Sequence, residues 1–170
     1  MNNLSKAKAF YDQGLRFLRC SERCMGDINE DGSIQIMGGK YQILSSPTMV
    51  NSAFACELFL KTILILHDID YMKVLKKGEG HKLKPLFELL PNQEYKDFLQ
   101  IGTKQEFESE LQEHSGDFVD WRYYMEKPGM YRMSPMFTYI LMQNLKTLAR
   151  ALVKRAEDEM GNNNEISRNL

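Results

Sequence analysis

The chain has few cysteines, few histidines and no excess of charge of either sign. Its 170 residues contain three cysteines, three histidines and one tryptophan, with 22 basic against 23 acidic side chains. An odd number of irregularly spaced cysteines predicts reduced thiols, and no second Cys/His pair accompanies Cys20 and Cys24 to complete a zinc site. A net charge of -1 argues against coating of nucleic acid by the whole surface, so any polyanion site has to be local.

The sequence also lacks a long uninterrupted apolar run. Its most apolar stretch, residues 53–66, contains Glu57 and Lys61 and is too short to span a bilayer. The first six residues hold no apolar core of a signal peptide. We therefore expect a cytoplasmic protein with no membrane partner. Its globular composition places residues 1–160 in one domain, followed by a disordered tail at 161–170.

Apolar periodicity predicts an all-α fold, an up-and-down bundle of four to five main helices. The stretch 50–66 is apolar on nearly all sides, which is typical of a central helix, and Ser46-Pro47 marks its start. The expected helices cover residues 4–24, 46–66, 83–90, 93–113 with a break near Gly102, 117–126, and the stretch that begins at Ser134-Pro135.

Residues 26–45 interrupt this helical pattern. Apolar residues alternate with polar ones at 34–36 and again at 41–43, on either side of Gly38-Gly39. A diglycine between two alternating arms predicts a β-hairpin, because tight hairpin turns need positive φ. We therefore expect a small β-hairpin inserted after the first helix.

The segment from Asp27 to Gly32 is similar to the first part of an EF-hand calcium loop. Oxygen-bearing side chains stand at alternating positions, and a glycine occupies the sharp turn. The twelfth position of such a loop supplies a bidentate glutamate and is Gly38 here. An acidic turn explains the same residues, so calcium binding stays open and we assign neither a metal nor a cofactor.

The usual catalytic motifs are absent from the sequence. There is no G-x-S-x-G, no phosphate-binding glycine loop with its Lys-Ser/Thr, and no H-E-x-x-H. Each histidine has a structural interpretation. His67 ends the central helix, His81 begins a short helix, and His114 falls in a charged stretch that we expect to be exposed.

Three segments, taken in order, carry the most specific functional signal: Glu57-Leu58-Phe59-Leu60-Lys61, His81-Lys82-Leu83-Lys84-Pro85-Leu86-Phe87, and Phe118-Val119-Asp120-Trp121-Arg122-Tyr123-Tyr124-Met125-Glu126. With the predicted helices around them, over about residues 46–154, they resemble the HEPN family. These are helical domains named after nucleotide binding in higher eukaryotes and prokaryotes.

The resemblance implies a bundle of four or five helices that often forms a homodimer and acts with RNA or a nucleotide. Many members are metal-independent RNases of defence, toxin–antitoxin or RNA-processing systems, and others are non-catalytic partners of nucleotidyltransferases. In the RNase members a histidine follows an arginine after four to six intervening residues. Imidazole moves protons at the 2′-hydroxyl or the leaving oxygen, while guanidinium steadies the phosphate charge.

That pair is missing here. If Arg122 stands in the place of the arginine, the histidine positions hold Lys127, Pro128 and Gly129. We therefore expect a module of a bacterial-type defence or toxin–antitoxin system that associates with RNA or a nucleotide without the usual RNase mechanism. One alternative is a divergent metal-independent endoribonuclease with Arg122 and His81 as its catalytic residues. Another is a purely structural bundle that binds a second protein.

The expected ligand-binding residues have charges or rings suited to a nucleotide: Glu57, Lys61, His81, Arg122, Tyr123 and Glu126. Arg122, Lys61 and His81 are expected to bind phosphate, Tyr123 to stack, and Glu57 or Glu126 to orient Arg122. A structural interpretation of the same residues stays open. In it, Glu57 and Arg122 form a buried ion pair between helices, and the aromatic residues beside them fill a core or a dimer interface.

Overall fold

The computed structural model describes residues 2–28, 34–36, 45–73, 80–122 and 135–168. Most of these residues are helical, so the all-α prediction is confirmed. The helices in these ranges are α1 (Asn3–Met25), α2 (Ser45–Leu66), α3 (Leu83–Glu88), α4 (Gln93–Leu99), α5 (Lys104–Glu113), α6 (Asp117–Asp120) and α7 (Pro135–Arg168). A 3-10 turn, His114–Gly116, joins α5 to α6.

Helix α2 is the centre of the fold and packs against both α1 and α7. Its apolar side chains are buried around the whole circumference of the helix, as its composition predicts. Helix α1 crosses α2 closely at Gly14, where a Cβ atom would lie 2.6 Å from Cε1 of Phe59. The fully buried side chains of α2 include Met49, Ala53, Phe59, Leu60, Ile63 and Leu64, and each large one contributes about 1.5–3 kcal/mol through burial.

Within the described ranges, α2 is also the one helix that is long and apolar enough to cross a membrane. Of its most apolar window, 78% is buried inside the protein. A helix that faces lipid exposes its apolar side chains to the bilayer, whereas most of this window is covered by protein. Two charged residues, Glu57 and Lys61, also lie within the window. The helix is therefore compatible with the core of a soluble protein.

Three short helices, α3, α4 and α5, close one side of the bundle. Their buried residues, such as Leu86, Leu99 and Phe107, join the core formed by α2 and α7. The predicted break near Gly102 is confirmed: Gly102 has φ +71, between the end of α4 and the start of α5. A capping box then begins α5, in which Thr103 and Glu106 satisfy each other's backbone N–H groups.

Among the described residues, the hairpin predicted around Gly38-Gly39 is not seen. Strand β2 (Ile34–Ile36) instead pairs antiparallel with the preceding strand β1 (Gly26–Ile28), with Asp27 opposite Gln35. The second predicted arm, 41–43, and the glycine pair lie outside the described residues, as does most of the possible calcium loop. Period-2 alternation identifies a strand but not its partner, and the sequence Asn-Glu-Asp-Gly-Ser at 29–33 is as rich in turn-forming residues as the diglycine.

The last two helices differ in length from their predictions. Helix α6 is a single turn, and residues 123–126, expected to extend it, lie outside the described ranges. Helix α7 has 34 residues and is about 50 Å long at 1.5 Å per residue. It includes residues 161–168, where the sequence led us to expect a disordered tail. Adding a residue to an existing helix fixes few dihedrals per hydrogen bond, so even an asparagine-rich stretch can continue it.

Candidate functional site

An ion pair lies inside the central helix, at Glu57 and Lys61. The two side chains are one turn apart on α2, and Lys61 Nζ lies 2.5 Å from Glu57 Oε1. Glu57 is 1% exposed and Lys61 6% exposed. The ammonium of Lys61 also lies 5.7 Å from the ring centroid of the buried Tyr71. Desolvating two charges costs several kcal/mol for each ion, so this pair is an exception among the buried residues of α2, which are otherwise uncharged.

The second oxygen of Glu57 binds His81, which precedes α3. Glu57 Oε2 accepts a hydrogen bond from His81 Nδ1 at 3.1 Å. The carboxylate is buried, whereas the His81 side chain is 54% exposed. Since Nδ1 donates to the carboxylate, Nε2 is the nitrogen through which His81 can exchange a proton with a ligand. A buried acid thus orients a solvent-accessible imidazole.

Helix α6 brings an aromatic ring and a guanidinium to the same place. Phe118 and Arg122 are four residues apart and therefore lie on one side of this turn. The ring centroids of Phe118 and His81 are 5.2 Å apart, and Arg122 Cζ lies 5.0 Å from the Phe118 centroid in a cation–π contact. The imidazole of His81 and the exposed guanidinium of Arg122 are therefore within about 10 Å of each other. We call His81, Phe118 and Arg122 the His81–Arg122 surface.

Aromatic contacts hold Phe118 against the bundle. Its ring stacks on Phe54 of α2, with centroids 4.4 Å apart and planes 18° apart. Phe54 in turn meets Phe17 of α1 edge to face at 4.5 Å. These offset and edge contacts add to the apolar burial of each ring. The His81–Arg122 surface is therefore built on three helices rather than on a loop alone.

The structure brings together four of the six residues expected to bind a ligand. Glu57, Lys61 and His81 are in direct contact, and Arg122 joins them through Phe118. Both oxygens of Glu57 are occupied by Lys61 and His81, so the expected pairing of Glu57 with Arg122 is replaced by these contacts. Tyr123 and Glu126 lie outside the described residues.

A second polar cluster, which we call the His114 network, was not predicted from the sequence. His114 is 1% exposed, so the expectation that it lies at the surface is wrong. Its Nδ1 donates to Asp117 Oδ2 at 2.8 Å, and Asp117 Oδ1 accepts the indole N–H of Trp121 at 3.2 Å. His114 Nε2 lies 3.4 Å from Glu110 Oε2. The spacing 110, 114, 117, 121 places these residues on one helical face, which was the available signal.

The His114 network holds a proton more tightly than its parts would alone. Burial lowers the pKa of His114, but its hydrogen bond to Asp117 and the charges of Asp117, Glu110 and Glu113 outweigh burial and raise that pKa above 6.5. Burial raises the pKa of Asp117 above 3.8, although His114 and Trp121 act against it. Both groups therefore favour a protonated network.

The protonation of His114 makes stability depend on pH. Because its pKa is higher in the folded than in the unfolded chain, its contribution is fully present below pH 6.5 and is lost as the pH rises through the folded value. We expect the free energy of urea unfolding to fall from pH 6.5 upward in the wild type. In His114→Asn, which cannot titrate, this part of the fall is absent. An equal fall in both proteins would contradict the assignment.

Metal binding finds no support in the described part of the chain. Within it, no group of three or more His, Cys, Asp or Glu side chains is placed to hold a metal ion.

A cleft of about 390 Å³ lies between α3, α4 and α5. Two lysines that line it already have partners within the chain: Lys96 binds the Glu88 carbonyl, and Lys104 faces Glu108. The His81–Arg122 surface contributes no residue to that cleft.

Comparison of the chain with protein-family models, with curated proteins and with solved structures gives no match. We therefore infer a function from the geometry and chemistry of the site, together with the resemblance of the three sequence segments. Two clusters are available for this: the His81–Arg122 surface above the Glu57–Lys61 pair, and the buried His114 network beside it.

Proposed function

We propose that the chain is a HEPN-like helical module that binds RNA or a nucleotide at the His81–Arg122 surface, without the usual RNase mechanism. One observation carries this proposal. Two side chains that bind phosphate well, His81 and Arg122, both contact the ring of Phe118, and a buried carboxylate orients the imidazole. The arrangement offers donors for phosphate oxygens beside an apolar ring edge suited to a sugar or base.

Arg122 is the main phosphate contact in this proposal. A guanidinium carries five N–H donors in a plane and binds phosphate with two parallel hydrogen bonds. The Phe118 ring, 5.0 Å from Arg122 Cζ, limits the orientations of that plane before any ligand arrives. Less conformational entropy is then lost on binding. His81 Nε2 adds a second donor when the imidazole is protonated.

Glu57 and Lys61 act from beneath the surface. Both are buried, so we assign them no direct contact with the ligand. Glu57 holds the His81 ring through Nδ1, and Lys61 compensates the charge of Glu57. A pair of apolar side chains at these positions would be about as stable as the ion pair or more so. The presence of the Glu57–Lys61 ion pair in the central helix is therefore better explained by its role in orienting His81.

The cellular setting in this proposal comes from the resemblance to the HEPN family. It comprises a cytoplasmic defence or toxin–antitoxin system, a homodimer, and a protein partner such as a nucleotidyltransferase. Light scattering after size-exclusion chromatography tests the homodimer, since a dimer has twice the 19.8 kDa mass of the chain.

The second candidate function is a divergent metal-independent endoribonuclease. The observation that favours it is the carboxylate–imidazole pair of Glu57 and His81, with Arg122 within about 10 Å of the imidazole. His81 Nε2 would take the proton of an RNA 2′-hydroxyl, and the 2′-oxygen would attack the adjacent phosphorus. The 5′-oxygen would leave and take a proton from water, giving a 2′,3′-cyclic phosphate. Arg122 would steady the charge on the phosphoryl oxygens.

Fluorescence anisotropy with a labelled single-stranded RNA in EDTA tests the proposed function. Arg122→Ala is expected to raise the Kd by about 10- to 100-fold, because a charge-assisted hydrogen bond contributes about 1.5–3 kcal/mol. His81→Ala is expected to act in the same direction. The matched control is Lys104→Ala on α5, which removes the same charge from a side chain that is 78% exposed and lines the cleft to which His81, Phe118 and Arg122 contribute nothing.

Each outcome of this titration separates the candidates. Equal effects of Arg122→Ala and Lys104→Ala, or no binding by the wild type, would contradict the proposed function. Denaturing gels of the same samples report cleavage. If the wild type cuts the RNA and both Arg122→Ala and His81→Ala abolish cutting while remaining helical by circular dichroism, the endoribonuclease replaces the binding module.

A further inference from the structure

Helix α6 is a single turn of four residues, yet two of the three residues of the His81–Arg122 surface depend on it. Phe118 lies within α6 and Arg122 follows its end, where the Arg122 N–H bonds the carbonyl of Val119. One turn fixes many dihedral angles for few hydrogen bonds and is unstable alone. Other contacts must therefore hold this turn in place.

The His114 network supplies those contacts. Asp117 is the first residue of α6, and its carboxylate binds the indole of Trp121, just past the end of the helix. The same carboxylate accepts from His114 in the preceding 3-10 turn. His114 also stacks on Phe137 of α7, with ring centroids 5.6 Å apart and planes 27° apart. The Asp117 carboxylate thus links the start of α6 to Trp121 just past its end. It also links both to the imidazole of His114, which packs against α7.

We propose that His114, Asp117 and Trp121 are positioning residues for the RNA site: their buried hydrogen bonds set the rotation of α6 and so direct Phe118 and Arg122 toward His81. This inference rests on the proposed function, because it assigns a role to the network through the same surface. The sequence supports the coupling directly. Phe118 follows Asp117, and Arg122 follows Trp121, so a rotation of the buried residues must also move the surface residues.

An ordinary apolar core does not explain this network. Apolar side chains would fill the same space without burying the Asp117 carboxylate, which costs free energy unless it is fully hydrogen-bonded. Apolar contacts also tolerate rotation, whereas hydrogen bonds weaken steeply as their angle falls. Two bonds to one carboxylate, at 2.8 and 3.2 Å, fix the turn in one orientation.

Three variants test the inference, with two measurements on each. His114→Leu removes the donor to Asp117. His114→Asn keeps one, because its amide N–H can stand where Nδ1–H stood. Leu99→Ala is the control: Leu99 is fully buried at the end of α4, so the variant loses stability through a cavity beside a different helix from α6. The first measurement is the Kd for the labelled RNA. The second is the emission of Trp121, the one tryptophan of the chain and 6% exposed.

We expect His114→Leu to raise the Kd by about tenfold and to shift Trp121 emission to longer wavelength. His114→Asn should restore both to near the wild-type values, and Leu99→Ala should change neither at a temperature at which it is folded. Wild-type affinity in His114→Leu, or equal loss of affinity in His114→Leu and Leu99→Ala, would overturn the inference.

The emission measurement keeps this inference separate from the proposed function. If the wild type binds no RNA, the proposed function fails, and Trp121 still reports on the turn. An emission shift in His114→Leu that His114→Asn reverses would then retain the network as the device that orients α6. Unchanged emission in His114→Leu would overturn the inference whether or not RNA binds.

Discussion

Glu57→Leu is expected to lower the free energy of unfolding by about 3–5 kcal/mol, because it leaves the buried ammonium of Lys61 without its carboxylate. The contact of Lys61 with the Tyr71 ring compensates only part of that charge. Urea unfolding followed by circular dichroism measures the loss. A change below about 1 kcal/mol would contradict a buried ammonium that depends on Glu57 for its compensation.

The double variant Glu57→Leu/Lys61→Leu separates stability from function. Replacing both partners of a buried ion pair with apolar residues is often neutral or stabilising, so we expect this variant to be about as stable as the wild type. Its affinity for RNA should still fall, because His81 loses the carboxylate that orients it. A double variant that is as unstable as Glu57→Leu would contradict the first expectation. Unchanged RNA affinity would contradict the second.

Phe59→Ala is the second substitution with a large expected effect. Phe59 is fully buried at the crossing of α1 and α2, and truncating such a ring costs about 3–5 kcal/mol through lost burial and the cavity left behind. Thermal or urea unfolding measures the change. A loss near 1 kcal/mol would mean that the two helices can close on the cavity.

Gly14 is the other half of this crossing. Gly14→Leu alone is expected to be destabilising, since even a Cβ would come within 2.6 Å of the Phe59 ring. In the Phe59→Ala background the new side chain has space to occupy. We therefore expect the two changes to be non-additive by about 0.5–3 kcal/mol, in favour of the double variant. Strict additivity would contradict the close contact.

Local patterns predicted the helical elements well. Ser46-Pro47 and the all-round apolar composition identified α2, and Gly102 identified the boundary before α5. These features follow from propensity, capping and periodicity, which act within a few residues. The partner of strand β2 could not be predicted in the same way. Its alternating pattern fits either neighbouring segment, and pairing is decided by contacts that the pattern does not contain.

The candidate site was predictable only in part. Glu57 and Lys61 pair at the i,i+4 spacing of a helix, which sequence alone indicates. The contact of His81 with Glu57 spans 24 residues and depends on how α3 docks against α2. The burial of His114 depends on the packing of Phe137, 23 positions later in the chain, against it. The charged residues around His114 in the sequence therefore led to a prediction of exposure, whereas the side chain is buried.

The most direct test of the central claim is photo-crosslinking of an RNA that carries 4-thiouridine, followed by mass spectrometry of the protein's peptides. We predict that crosslinks fall in the peptides containing His81 or Phe118, and that Arg122→Ala reduces them while Lys104→Ala does not. Crosslinks confined to other peptides, or none above the level of an unfolded control, would contradict an RNA site at the His81–Arg122 surface.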